Sequence, residues 1–144
     1  MKNVAIVYWS GTGNTESMAK AIKEGVTKTG TPVDCMEVDS FQPGDLERYG
    51  AFAFGCPAMG DEVLEEGTFE PFFAGIEHEL GDRPVALFGS YGWGGGAWMR
   101  DWESRAKEDG IKLIADGLDV ENGPTDKDLA ACEELGKKLV KALG

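Results

Sequence analysis

Apolar positions along the chain follow two rhythms. Runs of continuous apolar character occupy Asn3–Tyr8, Ala51–Cys56 and Val85–Ser90, each followed by glycine, proline or polar residues. Such runs predict strands of a parallel sheet covered on both faces. Val33–Val38 has the charged residues Asp34 and Glu37 within it and predicts an edge strand. A fifth strand is predicted in two pieces, Lys112–Ala115 and Leu118–Val120, broken by Asp116-Gly117.

Between these runs, apolar residues recur three and four positions apart. Met18, Ile22 and Val26 predict a helix over Thr15–Lys28, ended by Gly30 and Pro32. A short second helix is predicted at Asp45–Arg48, and a third presents Phe69, Phe72, Phe73, Ile76 and Leu80 as one stripe. A fourth, near Ala97–Lys107, turns Met99, Trp102 and Ala106 inward. The fifth starts at Thr125 with Asp128 three residues on, a capping-box pattern. Its buried face is Leu129, Cys132, Leu139 and Leu143, with Gly136 allowing close approach. Strand–helix alternation at this length predicts one domain, residues 1–144, of α/β class. Its core is a doubly wound five-stranded parallel sheet with helices on both faces. Ligands of such folds bind beyond the carboxyl ends of the strands, near the switch in strand order.

Three loops leave predicted strands at that edge, and all three have unusual composition. The first is Tyr8-Trp9-Ser10-Gly11-Thr12-Gly13-Asn14-Thr15, which leads from a strand into a helix. Unpaired N–H groups and the dipole of a helix start favour an anion, and the hydroxyls of Ser10, Thr12 and Thr15 add donors. There is no lysine for a Walker A loop, and Glu16 stands where a dinucleotide fingerprint needs its third glycine. Neutral donors alone suit a permanently bound mononucleotide; an ordinary capped helix is the competing reading. The second loop, Gly55-Cys56-Pro57-Ala58-Met59-Gly60-Asp61-Glu62, combines small residues with an adaptable apolar Met59. In the third, five glycines in the eight positions 89–96 flank Trp93, whose indole calls for a flat partner or for burial in the chain's own core.

Charge narrows the partners. A net charge of −12 disfavours nucleic acid and anionic lipid surfaces. Eight carboxylates and no lysine or arginine lie between Asp61 and Asp82, a face that steers toward basic partners. Cys35, Cys56 and Cys132 are widely spaced and read as reduced thiols, and His78 reads as a surface residue. No stretch has the pattern of a signal peptide or a spanning helix, so a cytoplasmic location is expected.

Together the loops resemble those of the flavodoxins, in particular the short-chain kind of anaerobic bacteria such as clostridia. The resemblance is carried by Tyr-Trp-Ser-Gly-Thr-Gly-Asn-Thr at 8–15, Ala-Met-Gly-Asp-Glu at 58–62 and Phe-Gly-Ser-Tyr-Gly-Trp-Gly at 88–94. It implies strand order 2-1-3-4-5, one non-covalent FMN and no catalytic residues. The phosphate is then expected on Ser10, Thr12, Asn14 and Thr15 and the N–H groups around Gly11 and Gly13. Trp9 and Ser90 neighbour the ribityl-phosphate arm, and Met59 and Trp93 cover the two faces of the ring. Glu62 accepts from the flavin N3–H, while backbone near Gly92 and Gly94 meets the pyrimidine edge. Pro57, Ala58, Gly60, Asp61 and Tyr91 complete the set.

A one-electron carrier must separate the two electron steps that free flavin takes at similar potentials. Rotation of the Gly60–Asp61 peptide, cheap at glycine, lets the Gly60 carbonyl accept N5–H and stabilises the neutral semiquinone. An apolar ring site among Asp61, Glu62, Glu65 and Glu66 disfavours the anionic hydroquinone, and each tenfold bias lowers a one-electron potential by about 59 mV. The expected role is therefore a low-potential electron carrier shuttling between semiquinone and hydroquinone. The resemblance implies a monomer whose partners are reductases and iron–sulfur oxidoreductases with basic docking faces. The alternative on the same fold is an FMN-dependent NAD(P)H oxidoreductase, which Trp93 stacked on the ring would obstruct. A phospho-acceptor receiver lacks its aspartates, because Trp9-Ser10 and Gly55-Cys56 occupy those places.

Overall fold

Strand β1 (Val4–Tyr8) is buried at all five positions, and its alternate side chains leave on opposite sides of a sheet. This was established in a computed structural model that describes residues 2–59, 64–92 and 95–144. Ala5 and Val7 join Phe52 and Phe54 of β3 (Ala51–Gly55) and Val85 and Leu87 of β4 (Pro84–Tyr91) on one face. There α2 (Phe69–Ile76) and α3 (Ala97–Glu108) cover them with Phe69, Phe73, Trp98 and Trp102. Val4 and Ile6 join Ala51, Ala53, Ala86 and Phe88 on the other face, beneath α1 (Asn14–Lys28) and α4 (Asp126–Leu143). Two-sided burial is the reason these strands read as unbroken apolar runs.

The strands are parallel in the order β2-β1-β3-β4-β5, the expected 2-1-3-4-5 arrangement. Edge strand β2 (Val33–Glu37) exposes Asp34 and Glu37, as its charge pattern predicts. The broken fifth strand is two separate strands, β5 (Lys112–Leu113) and β6 (Leu118–Glu121), both paired with β4. The predicted helix at Asp45–Arg48 is instead a 3₁₀ turn, Pro43–Arg48, whose first turn is closed by Gln42 N–H donating to the Asp45 carboxylate at 3.0 Å. Only Leu46 of that segment is buried, too little apolar surface to hold a full helix against the sheet. Helix α2 stops at Ile76, short of the predicted stripe, yet Leu80 in the following turn is still buried. Helix α4 opens with the predicted capping box between Thr125 and Asp128.

Tertiary contacts also redistribute the acidic run. Arg105 of α3 reaches back to Glu70 at 2.6 and 2.7 Å and to Glu77 at 2.7 and 3.2 Å, with its guanidinium 5.0 Å over the Phe73 ring. Against the cost of burial, this fork holds the Glu77 carboxyl below its usual range. Asp109, beyond the end of α3, lies beside Glu77 with His78 Nδ1 at 3.6 Å. Burial, and then the Glu77 carboxylate, push Asp109 from 3.8 up to about 6, while His78 and Arg105 pull the other way. Between those values the folded chain retains a proton that the unfolded chain has lost, so stability falls as pH rises from about 4 to about 6. Asp109→Asn cannot ionise and avoids that loss. Its melting temperature is expected to exceed that of the parent at pH 8 and to match it near pH 4. Thermal unfolding at the two pH values checks this; an equal difference at both would place the cause elsewhere.

Candidate functional site

Tyr8, Gly55 and Phe88 lie side by side in the register of β1, β3 and β4, so three loops leave the sheet at one edge. Backbone bonds tie these exits together. Trp9 N donates to Gly55 O at 3.0 Å, Cys56 N to Phe88 O at 3.1 Å, and Ala58 N to Ser90 O at 2.9 Å. Beyond β6, Asn122 N donates to Tyr91 O at 2.7 Å.

The β1–α1 turn is shaped by Gly13, which stands at the N-cap of α1 with φ +95°, a left-handed conformation that favours glycine. The Ser10 hydroxyl accepts from Gly13 N at 3.0 Å and Glu16 N at 3.3 Å, holding the turn closed over the helix start. The remaining first-turn N–H groups have no intrahelical acceptor and stay available to an anion. Thr15 is only 1% exposed, and its hydroxyl lies 3.2 Å from the equally buried Ser90 hydroxyl at the end of β4. Trp9 lays its ring against Gly11.

After β3 the Cys56 thiol points into the core, where its sulfur accepts Glu65 N–H at 3.3 Å. Burial pushes this thiol up to about 12, so it is neutral and holds the loop shut from inside. Glu65 accepts from Gly67 N, Thr68 N and Phe69 N, each at 2.8 Å. Against the cost of burial, these bonds hold its carboxyl below the usual range. Its charge is thus engaged by the start of α2 and weighs less on a neighbouring ring than the sequence suggests. Met59 is 39% exposed at the rim of the site. At the end of β4, Tyr91 packs on Trp98 at 5.4 Å, and Trp98 Nε1 donates to Cys56 O at 3.3 Å.

These exits enclose a cavity of about 410 Å³, within the size range of small-molecule sites. Trp9, Gly11, Thr12 and Asn14 line it from the first loop, Pro57, Ala58 and Met59 from the second, and Ser90, Tyr91 and Gly92 from the third. Ser10, Gly13 and Thr15 stand behind that wall in the bonds just described. Gly60, Asp61, Glu62, Trp93 and Gly94, also expected at the site, lie outside the described residues. The structure adds Asn122, which reaches the cavity from the turn after β6 with φ +59°. Its signal in the sequence is Asn122-Gly123 one residue beyond the predicted strand Leu118–Val120, because asparagine tolerates the left-handed region better than most residues with a Cβ. Among the described residues no lysine or arginine lines the cavity.

Hydroxyls and N–H groups at one end, and the rings of Trp9 and Tyr91 with the apolar Ala58 and Met59 elsewhere, fit an amphipathic ligand with a phosphate tail. The flavodoxin family model matches residues 6–136. Flavodoxin from Clostridium beijerinckii is 46% identical over 134 residues, covering 93% of this chain and 96% of that one. Flavodoxin from Megasphaera elsdenii is 42% identical over 139 residues, covering 96% and 99%. The solution structure of the two-electron reduced Megasphaera elsdenii flavodoxin superposes with a TM-score of 0.85 at 40% identity, over 96% of this chain and 98% of that one. Alike in sequence and topology over nearly its whole length, the chain belongs to the flavodoxin family of FMN-binding electron carriers.

Proposed function

We propose that this flavodoxin is a monomeric, cytoplasmic, low-potential one-electron carrier, working between the one-electron-reduced and fully reduced levels of FMN. One observation carries the reading. Ten residues picked from three separate loops by composition and motif line a single cavity beside the start of α1. When bound, FMN supplies the redox chemistry, accepting electrons and protons in single steps.

The protein's part is binding and bias. Thr12, Asn14 and Thr15, with the first-turn N–H groups of α1, hold the phosphate, and Ser10 keeps that turn in shape. Met59 would cover one face of the ring and Trp93 the other, and Asn122 and Gly92 line the same cavity as Met59. Glu62 would accept a hydrogen bond from the flavin N3–H, and the Gly60 carbonyl would accept one from N5–H when that atom carries a proton. With no lysine or arginine among the described lining residues, and with Asp61 and Glu62 following Met59 in the sequence, further negative charge beside the phosphate would be opposed and that step made strongly reducing.

The acidic surface is the docking face. With Glu70 and Glu77 paired to Arg105 and Glu65 turned to α2, Glu66 stays exposed beside the second loop for basic redox partners, whereas Glu79 and Asp82 precede β4 at the opposite edge of the sheet. Encounters of this kind are brief and weaken with salt. The NAD(P)H oxidoreductase reading is not favoured, since the close relatives are flavodoxins. Anaerobic spectroelectrochemical titration of the FMN-loaded protein is the test. Two separated one-electron steps are expected, the second far below the first. One unresolved two-electron step would overturn the carrier assignment.

A further inference from the structure

Glu103 is the one charged side chain among the described residues that is buried, at 7% exposure, and nothing in the cavity uses it. It lies in α3 and accepts Gly117 N–H through Oε2. Its other oxygen is 3.3 Å from Arg100 Nε, one helical turn earlier. Arg100 in turn donates from Nη2 to Gly117 O at 3.1 Å and stands 3.6 Å from Asp119 Oδ1. A single turn of α3 therefore takes both the N–H and the carbonyl of Gly117. No side chain fits there, because a Cβ on Gly117 would run into Met99 and Glu103.

Gly117 needs these partners because the sheet has none for it. Strand β4 pairs Val85 with Leu113 of β5 and Phe88 with Leu118 of β6. Leu113 to Leu118 takes five steps where Val85 to Phe88 takes three, so the edge carries two extra residues. A bulge of this kind leaves backbone groups outside the ladder and leaves the register beyond it weakly specified. Yet β6 delivers Asn122 to the cavity, held by Asn122 N donating to Tyr91 O. At the other end of the clamp, the Asp119 carboxylate fills the space beside Gly96, where α3 begins.

An ion pair whose arginine is 51% exposed adds little net stability, and the best-attested use of a charged group buried like Glu103 is to fix one register among several. We propose that Arg100 and Glu103 are positioning residues for the flavin site, clamping the β5–β6 bulge so that β6 keeps the register that sets Asn122 and Tyr91 against the cofactor. The proposal rests on the FMN reading of the cavity for its consequence, but not for the clamp itself.

The two parts are separable by experiment. Glu103→Gln keeps an acceptor for Gly117 N–H and removes the charge from Arg100, whereas Glu103→Leu removes both, and Arg100→Gln removes the fork. In apo protein, amide exchange followed by NMR is expected to quicken at Asn122 by tenfold or more in Glu103→Leu and Arg100→Gln. Core amides such as Ala53 should keep their parent rates. In the same variants FMN is expected to bind at least tenfold more weakly, with Glu103→Gln intermediate. Exchange that quickens equally at Ala53 and Asn122 would overturn the proposal in favour of a general structural role. So would parent-like exchange at Asn122 in all three variants. If the parent protein itself failed to hold FMN, the cavity reading would fall, while the exchange rates would still judge the clamp.

Discussion

Thr15→Val is expected to fold and to hold FMN about ten- to a hundredfold more weakly than the parent. A hydroxyl donating to a phosphate makes a charge-assisted hydrogen bond worth roughly 1.5–3 kcal/mol, and about 1.4 kcal/mol is tenfold in affinity. The same substitution also strands a neighbour. Thr15 and Ser90 face each other at 3.2 Å in a buried setting, so valine leaves the Ser90 hydroxyl without its partner, at a cost of about 1–3 kcal/mol to the fold. Adding Ser90→Ala removes both polar groups and should restore most of the stability. It should not restore the affinity, because the phosphate donor is still missing. Urea unfolding of the apo proteins and fluorescence titration with FMN read the two quantities separately. Affinity that recovered together with stability in the double variant would show that Thr15 acts through the fold and does not touch the phosphate.

Gly136→Ala is expected to lower the melting temperature by about 6–12 °C, from a destabilisation of about 3 kcal/mol. Helix propensity alone predicts the opposite, since alanine in a helix interior is favoured over glycine by about 1 kcal/mol. Packing decides the sign. A Cβ at Gly136 would collide with the Ile22 carbonyl and sit 3.1 Å from Val26 N, both backbone atoms of α1. On the facing helix, a Cβ at Gly25 would meet the backbone of Glu133. Helices α1 and α4 therefore cross backbone to backbone, and no rotamer change relieves the contact. Gly75 provides the control: it is also helical but a Cβ there meets nothing within 4 Å, so Gly75→Ala should be neutral or stabilising. Thermal unfolding of the two variants side by side is the measurement. Because α1 carries the proposed phosphate turn at its start, Gly136→Ala should also weaken FMN binding, from the opposite end of that helix.

The sequence by itself determined the inner strands of the sheet, four helices and the three loops whose described residues line the cavity. Two-sided burial forces unbroken apolar runs, and helical burial forces recurrence every three or four residues, so β1, β3, β4, α1, α3 and α4 are written locally. Thr125 and Asp128 mark the start of α4 because a cap is a contact within one turn. The three cavity loops are legible for a related reason: their glycine, hydroxyl and aromatic content serves no need of a strand exit. The tertiary structure alone decided what depends on residues far apart in the chain. It joined Thr15 to Ser90, brought Arg105 to the acidic run, and turned Glu65 from a presumed neighbour of the ring into the cap of α2. It brought Asn122 to the cavity and placed Glu103 against the bulge before β6, neither of which has a periodic signature. It also reduced the short predicted helix at Asp45–Arg48 to a 3₁₀ turn. Burial of one face follows from a local pattern, whereas the partner of a polar group is chosen by the packing of the whole chain.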